Sequence, residues 1–283
     1  MKTPHSYYSQ RHGVNPNANG LPLADVLNLF LRVFERLRKD GYFDEAFGFC
    51  CVDAGDIEGK LGDVDLAILL DVHKKNLWPI EDKCHSYQED DLFDVIEFLY
   101  RHVSKPIDGT MHNYNFCGMH WATFNQTEGR NEFRSKVNSV LDHYSERFEL
   151  SSSGEVLRKP EAGFEAIFDA DIPSKDAKVV DRISAAVLRY RRHGSTIDDR
   201  RQAVRDLADV LELLRPQLHG LLTSKDEADL FNIANNFGVR HHNDKQKTTY
   251  DAAIWLSWMF YYYLATIHAI VRKLEKKPAR KSP

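Results

Sequence analysis

The 283-residue sequence has little of several features that would identify its class at once. It contains four cysteines, Cys50, Cys51, Cys84 and Cys117, and its first 20 residues lack the apolar segment of a signal peptide. These features argue against a disulfide-rich secreted domain and predict a reduced, cytoplasmic protein with free thiols. No internal repeat is visible.

The chain also lacks an excess of charge of either sign. Its 38 Lys and Arg residues against 42 Asp and Glu residues give a formal charge of −4, so the whole-chain charge does not indicate a nucleic-acid binder. Any nucleic-acid site must therefore be a local patch. With 42% apolar and 28% charged residues, the chain can bury a core and form one or two domains.

One long apolar run, residues 252–271, reads AAIWLSWMFYYYLATIHAIV and has roughly the length that spans a bilayer core. Its aromatic residues lie in the middle instead of at the ends, and His268 would fall within the apolar zone. A helix that is apolar all round is also typical of the centre of a helical bundle. We therefore predict a core helix, with Trp255 and Trp258 as core or interface anchors, and no membrane contact.

The first 160 residues contain three helical patterns, in which apolar residues recur at steps of three and four. The first runs from Leu23 to Leu37 and ends near Asp40, the second runs from Leu92 to Val103, and the third covers residues 131–147. After them, FELSSSGEVLR at 148–158 alternates around a Ser-Ser-Ser-Gly turn, which predicts a short β-hairpin.

Beyond residues 159–175, which contain two prolines, the pattern becomes purely helical. Apolar stripes predict helices at about 179–190, 204–218, 225–236 and 250–275, and Thr248 with Asp251 resembles a capping box for the last one. The predicted fold is mainly α, with an up-and-down four-helix bundle at the C-terminal end. Its parts are a flexible arm at 1–20, an N-terminal helical domain with the hairpin at 21–160, the bundle at 161–276 and a basic tail at 277–283.

The stretch NNFGVRHHN, residues 235–243, combines amides, a glycine, an arginine and two histidines at the turn before the last helix. A helical bundle with such an Arg-polar-His cluster resembles HEPN domains, and LADVLELLRPQL at 207–218 resembles those of bacterial abortive-infection proteins. The segment 129–156, GRNEFRSKVNSVLDHYSERFELSSSGEV, is similar to the domains that precede HEPN modules in AbiJ-like proteins. The resemblance covers about residues 21–276.

This resemblance implies an effector of abortive infection, an antiviral or toxin system, that cuts RNA as a homodimer without metal or other cofactor. The family motif is an arginine, a polar neighbour and a more distal histidine; Arg240 and His241 match its first two positions. The distal histidine is missing, and His242 replaces it only if the turn or the two-fold axis brings it to the same phosphate. The candidate catalytic residues are Arg240, His241, His242 and Asn243.

Cleavage of RNA without a metal needs a base for the 2′-OH proton, an acid for the 5′-oxygen and a cation beside the developing phosphorane charge. Histidine suits the first two roles and arginine the third. The alternative is a solvated turn in which Arg240 caps the preceding helix, within a non-catalytic HEPN-like RNA- or protein-binding regulatory module. For the ribonuclease and for the RNA-binding alternative alike, the N-terminal domain is predicted to be a regulator or sensor, with an antitoxin or a phage-encoded trigger as a further partner.

A second candidate patch is RYRRHG followed by DDRR, where a tyrosine is interleaved with basic residues. This composition suits a phosphate backbone and a stacked base, although Asp198 and Asp199 dilute it and a solvated face is the alternative. The candidate RNA-binding residues are Arg189, Arg191, Arg192, Arg200 and Arg201.

The segment GDVDLAILLD, residues 62–71, would place Asp63 and Asp65 on one face of a strand, as metal-binding carboxylates are placed in nucleotidyltransferases. The Gly-Ser pair that holds the triphosphate in those enzymes is absent. If the segment is instead a helix, Asp63 is an acid at a helix N-terminus, favoured by the helix dipole.

Four zinc ligands could in principle come from Cys84-His85 together with His112, Cys117 and His120. Paired CxxC motifs are lacking, and a single CxxH is common by chance, so the sequence predicts core or surface residues and no metal site. Cys50 and Cys51 follow the apolar AFGF, a context that predicts raised thiol pKa values.

Overall fold

The structure, a computed structural model, describes residues 7–15, 17, 20–161, 163–218, 223–236 and 251–276. The chain forms two compact units, Met1–Leu157 and Arg158–Pro283. The predicted boundary between residues 160 and 161 lies close to this division. Each unit has its own hydrophobic core.

Helices are the main secondary structure of the N-terminal unit, which also contains three two-stranded β-hairpins. Its helices are α1 (Tyr8–Arg11), α2 (Leu23–Lys39), α3 (Asp44–Phe47), α4 (Val64–Val72), α5 (Ile80–Lys83), α6 (Glu89–His102) and α7 (Gln126–Leu141). Its hairpins are β1 (Phe49–Cys51) with β2 (Gly55–Ile57), β3 (Lys105–His112) with β4 (Gly118–Asn125), and β5 (Phe148–Leu150) with β6 (Val156–Arg158). Two 3₁₀ turns cover Cys84–Ser86 and Tyr114–Phe116.

The predictions for α2, α6 and the hairpin of β5 and β6 are confirmed. The buried residues of α2 repeat at helical spacing, and the helix ends at Lys39 with Asp40 as its C-cap, before Gly41 adopts φ +82°. In the core, the Phe43 ring stacks on Phe47 with centroids 5.1 Å apart and meets Phe133 of α7 edge-on. These packed aromatic rings join the first helix-rich segment to α7.

Helix α7 begins and ends earlier than its apolar pattern predicts. The Asn125 side chain caps its N-terminus by accepting from the Glu128 backbone N–H at 3.0 Å. The helix stops at Leu141 because the residues that follow form backbone hydrogen bonds with Leu21, near the N-terminus of the chain. Leu21 N–H donates to the His143 carbonyl at 2.6 Å, and Ser145 N–H donates to the Leu21 carbonyl.

Of the two alternatives for the segment with Asp63 and Asp65, the structure confirms the helix and not the strand, because this segment forms α4. Asp63 is the N-cap of the helix, and its carboxylate accepts from the Leu66 backbone N–H at 3.1 Å. Asp65 lies in the first helical turn, where its negative charge interacts favourably with the positive end of the helix dipole. The two carboxylates therefore stabilise a helix start and do not form a strand-borne metal pair.

Beyond Arg158, the last residue of β6, all the secondary-structure elements that the structure describes in the C-terminal unit are helices. It contains α8 (Glu165–Asp169), α9 (Ala177–Arg191), α10 (Ile197–Leu218), α11 (Ser224–Asn236) and α12 (Ala252–Glu275). The four predicted helices of this region are confirmed, whereas the short α8 was not expected. Helix α10 packs against α9, α11 and α12, so it is central to the core.

Helix α12 is long and apolar enough to cross a membrane by length and composition, but 61% of its most apolar window is buried inside the protein. Leu256, Met259, Phe260 and Tyr263 lie in the core, which makes α12 a core helix as predicted. Asp251 caps it by accepting from two backbone N–H groups. Thr248, predicted as part of this cap, lies outside the described residues.

Of the two alternatives for Trp255 and Trp258, core or interface anchors, the core placement is wrong, and the interface placement stays a prediction. Trp255 and Trp258 are 40% and 41% exposed, on the face of α12 opposite the buried residues. The helical period explains the error, since a run that is apolar all round does not reveal which of its faces is covered.

The largest stability contribution on α12 is expected from Phe260. Its ring is fully buried and stacks on Tyr190 of α9 with centroids 3.9 Å apart. Phe260→Ala should destabilise the C-terminal unit by about 3–5 kcal/mol, because it leaves a cavity between two helices. Urea unfolding followed by fluorescence measures the effect. Trp258→Ala, on the exposed face of the same helix, is the matched control; an equal loss there would contradict this assignment of the core.

Candidate functional site

The predicted catalytic residues Arg240, His241, His242 and Asn243 lie outside the described residues. In the sequence they fall between the end of α11 at Asn236 and the N-cap of α12. The two helices that flank them in the sequence, α11 and α12, are described.

Two of the predicted RNA-binding residues line a cavity at the C-terminal end of α9. Arg189 and Arg192 contribute to this cavity of about 290 Å³. Its other lining residues are Ala185, Leu188, His193, Gly194, Ser195 and Asp199. Arg189 Nε also lies 3.4 Å from Asp206 Oδ2, so part of its charge is compensated.

The one acid that lines this cavity is also bound to its neighbours. Asp199 Oδ2 accepts from the Thr196 hydroxyl at 2.6 Å and from the Thr196 backbone N–H at 3.0 Å. These hydrogen bonds lower the pKa of the Asp199 carboxyl, so it stays charged. The Thr196–Asp199 pair caps the start of α10 and fixes the wall of the cavity facing α9.

The other three predicted RNA-binding arginines do not extend this surface. Arg191 is only 8% exposed, its Nε donates to the Arg158 carbonyl at 3.0 Å, and its guanidinium lies 5.0 Å from the Phe168 ring centroid. Arg191 is thus a buried packing residue, unavailable to a nucleic acid at this surface. Arg200 lies over the Tyr190 ring, and Arg201 is paired with Asp198.

The end of α9 lies beside the N-terminal turns of α12. Tyr190 O–H donates to Ser257 Oγ at 2.7 Å, and Ser257 belongs to the second turn of α12. Burial raises the pKa of the Tyr190 phenol, which keeps it a neutral donor. The basic cavity is therefore at the end of the unit where α12 begins.

The N-terminal unit contains a cluster of metal-ligating side chains that sequence reasoning did not assemble. We call it the Cys2His2 cluster, and its members are Cys51, His112, Cys117 and His120. One sulfur or nitrogen atom of each lies within 4.8 Å of the corresponding atoms of the other three. In the part of the chain that the structure describes, this is the group whose atoms could hold a metal ion.

Two hairpins bring the cluster together. Cys51 ends β1, whereas His112 ends β3 and His120 lies in β4. In the register of β3 and β4, Thr110 pairs with His120 and His112 pairs with Gly118, so the two histidines lie on one face of the hairpin. The 3₁₀ turn between these strands delivers Cys117 to the same place.

The distances within the cluster are short. Cys51 Sγ lies 3.8 Å from His112 Nδ1, and Cys117 Sγ lies 3.2 Å from His120 Nε2. The two imidazole rings meet edge to face with centroids 5.0 Å apart. Each thiol therefore has an imidazole nitrogen as a direct neighbour.

Further residues hold these ligands in place. His112 Nε2 lies 3.1 Å from Asp53 Oδ2, while its other nitrogen faces Cys51. The Phe49 ring packs on His120 with centroids 4.8 Å apart. Both rings are thus oriented by contacts outside the cluster.

The prediction of raised thiol pKa values is wrong for Cys51. Backbone N–H groups of Ala54 and Asp53 donate to its sulfur and lower the pKa of the thiol. For Cys50 the raised direction is correct but the cause is different. Cys50 is exposed, and a hydrogen bond with Asp56 is the main reason that its pKa is raised.

The sequence prediction of no metal site considered Cys84, and not Cys51, beside His112, Cys117 and His120. Cys84 is fully buried, with its Sγ 3.6 Å from the Leu27 carbonyl, and burial raises its pKa to about 12. Cys51, the cysteine that lies beside these three side chains, is distant from them in the sequence, and only the packing of two unpredicted hairpins brings it near.

A comparison with known proteins finds no family model, no curated protein and no solved structure that matches this chain.

Proposed function

We propose that the C-terminal unit is an HEPN-like ribonuclease that cuts RNA without a metal. The observation that carries the proposal is the basic cavity of Arg189 and Arg192 at the end of α9, the helix whose Tyr190 side chain also contacts the second turn of α12. Residues 240–243 shortly precede this helix in the sequence. A phosphate-binding cavity and an Arg-His-His stretch leading into the adjacent helix suit an enzyme that acts on a polyanion.

The cavity is suited to the RNA backbone and not to a base alone. Its two guanidinium groups and His193 offer charged and polar donors, and a phosphate group fits within about 290 Å³. In the catalytic stretch, Arg240 would stabilise charge on the phosphorane, and His241 and His242 would serve as base and acid. Asn243 would contribute a hydrogen bond to the phosphate or ribose.

The remaining parts of the proposal concern assembly and biological role. A single Arg-His-His stretch offers few groups for both proton transfers, so two copies across a two-fold axis would complete the site in a homodimer. The protein would act in the cytoplasm as an effector of bacterial abortive infection. The N-terminal unit would be the regulator, responding to an antitoxin or a phage-encoded trigger.

The cavity makes a prediction about RNA affinity. Arg192→Ala should weaken RNA binding and lower the slope of log K against log[salt] by about 1, since one phosphate contact is lost. Fluorescence anisotropy with a labelled single-stranded RNA at several salt concentrations measures both. Arg272→Ala, in the last turn of α12, removes the same charge at the far end of that helix and is the matched control. Equal slopes for wild type and Arg192→Ala would show that the cavity is not part of the RNA-binding site.

The proposed activity is tested by incubating the purified full-length protein with end-labelled RNA in EDTA. Cleavage that depends on Arg240 supports the ribonuclease. Binding of RNA or of a protein partner without cleavage, if it is also lost in Arg240→Ala, identifies the non-catalytic regulatory module instead. If the protein neither cuts RNA nor binds RNA or a protein partner, both proposed functions are refuted.

A further inference from the structure

We propose that the Cys2His2 cluster is a structural zinc site that fastens the hairpin of β1 and β2 to the hairpin of β3 and β4. The site lies in the N-terminal unit, and the proposal does not depend on the ribonuclease activity. It rests on three independent observations: the geometry of the four ligand atoms, the conformation of the loop that carries Cys117, and the carboxylate behind His112.

The ligand atoms are spaced for a tetrahedral ion. Zinc lies about 2.3 Å from sulfur and about 2.0–2.1 Å from nitrogen, so the edges of the tetrahedron measure about 3.3–3.8 Å. A sulfur–nitrogen edge of such a tetrahedron measures about 3.6 Å. The Cys51–His112 contact of 3.8 Å is slightly longer than this edge, and the Cys117–His120 contact of 3.2 Å is shorter. No edge exceeds 4.8 Å, so small side-chain movements would centre an ion among the four atoms.

The donor set selects zinc and a structural role. Two thiolates and two imidazoles in tetrahedral arrangement are typical of zinc, and four protein ligands leave no open position for substrate. Two thiolates also neutralise the charge of a divalent ion. Cys51 is buried and the other three ligands are partly buried, so the ion would be held inside the protein surface and not at a solvated rim.

The loop that carries Cys117 is strained in a way that its own packing does not explain. Asn115 and Phe116 have φ values of +48° and +58°, in the left-handed region that non-glycine residues rarely adopt. The Phe116 side chain is 99% exposed and contributes no packing to hold the turn. A metal bound by Cys117 and His120, on either side of Gly118, supplies the missing constraint.

Asp53 gives the site an outer carboxylate. The contact of 3.1 Å between Asp53 Oδ2 and His112 Nε2 holds the proton on Nε2 and directs the Nδ1 lone pair into the cluster. Metal-bound histidines commonly donate their second N–H to such a carboxylate. Asp53 follows Cys51 by two residues, so one short segment supplies both a ligand and a positioning residue.

The test is the metal content of the full-length protein, purified under reducing conditions without chelator. Elemental mass spectrometry should find about one zinc per chain, and the protein should take up Co²⁺ with the visible spectrum of a tetrahedral site. Cys117→Ser should lose most of the zinc. Cys50→Ser is the matched control, because Cys50 neighbours Cys51, is exposed and lies outside the cluster.

If Cys117→Ser fails to fold, two variants of His120 still test whether the cluster binds zinc. His120→Cys keeps four ligands in a set that zinc accepts, so it should retain the metal, whereas His120→Ala should lose it. The proposal is overturned if wild type holds no zinc and takes up no Co²⁺. It is also overturned if Cys51 and Cys117 form a disulfide in the purified protein, or if Cys50→Ser loses zinc as completely as Cys117→Ser.

Asp53 permits a finer prediction, because it touches the metal only through His112. Asp53→Ala should weaken zinc binding about 10- to 100-fold while leaving one site per chain. Competition with a chromogenic chelator measures the affinity. Asp53→Asn, which keeps a hydrogen-bond acceptor for His112 Nε2–H, should recover part of the loss; a purely structural role of Asp53 would not show this rescue.

Discussion

Replacing Arg240 with alanine should lower the rate of RNA cleavage about 100- to 1,000-fold. The proposed role of Arg240 is to stabilise charge that develops on phosphorus, and loss of one preorganised contact of this kind costs roughly 3–4 kcal/mol in the transition state. Folding should be unaffected. Single-turnover cleavage of labelled RNA, with thermal melts of both proteins, measures the effect.

Two histidine variants assign the proton transfers. His242→Ala should cost a comparable factor if His242 replaces the distal histidine of the family motif, and His241→Ala tests its neighbour as the base. Arg272→Ala removes an arginine at the far end of α12 and should cut at the wild-type rate. If Arg240→Ala and both histidine variants stay folded and cut as well as wild type, the stretch is structural and the ribonuclease assignment fails there.

Removing zinc should destabilise the N-terminal unit more than most single substitutions in it. An ion that binds only the folded unit stabilises it by about 4 kcal/mol when free zinc is 1,000 times the dissociation constant. For a domain of this size, 1 kcal/mol corresponds to about 2–4 °C, so prolonged chelation should lower Tm by about 8–16 °C. Calorimetry of the full-length protein before and after chelation measures the shift.

The expected mechanism is loss of the link between two hairpins that are distant in the sequence. Without the ion, the two hairpins keep side-chain contacts such as His112 with Asp53 at 3.1 Å and Cys51 with His112 at 3.8 Å, but they lose the bonds from the metal to its four ligands. Cys117→Ser, which already lacks the ion, should show no further change on chelation. An unchanged Tm after verified removal of zinc from wild type would show that the site does not stabilise the fold.

The helices that could be predicted from the sequence are those with one buried face. The apolar spacing is sufficient to predict both the helix and its buried face in α2, α6, α9 and α10. A stripe of apolar residues at helical period can be buried on one face only if the segment is a helix. For α12, the sequence predicts the helix but not its buried face, because apolar residues surround the helix. Which face is covered, and hence the exposure of Trp255 and Trp258, depends on the neighbouring helices.

The candidate metal site could not be assembled from the sequence for a different reason. The segment KPIDGTMH of β3 lacks the alternation of a half-buried strand, and its residues are mostly exposed. The hairpin was therefore missed, and with it the register that places His112 and His120 on one face. Only the local spacing of Cys117 and His120 was visible, and that spacing alone is common by chance.

The ends of the RNA fragments test the proposed function most directly. Wild-type protein is incubated with labelled RNA in EDTA, and its zinc content is measured in the same sample. The account predicts fragments with 2′,3′-cyclic phosphate and 5′-hydroxyl ends, because the 2′-OH attacks the phosphorus, and no cleavage of the same strand with 2′-deoxyribose at the scissile position. Fragments with 3′-hydroxyl ends, or cleavage of the deoxy-substituted strand, would contradict it.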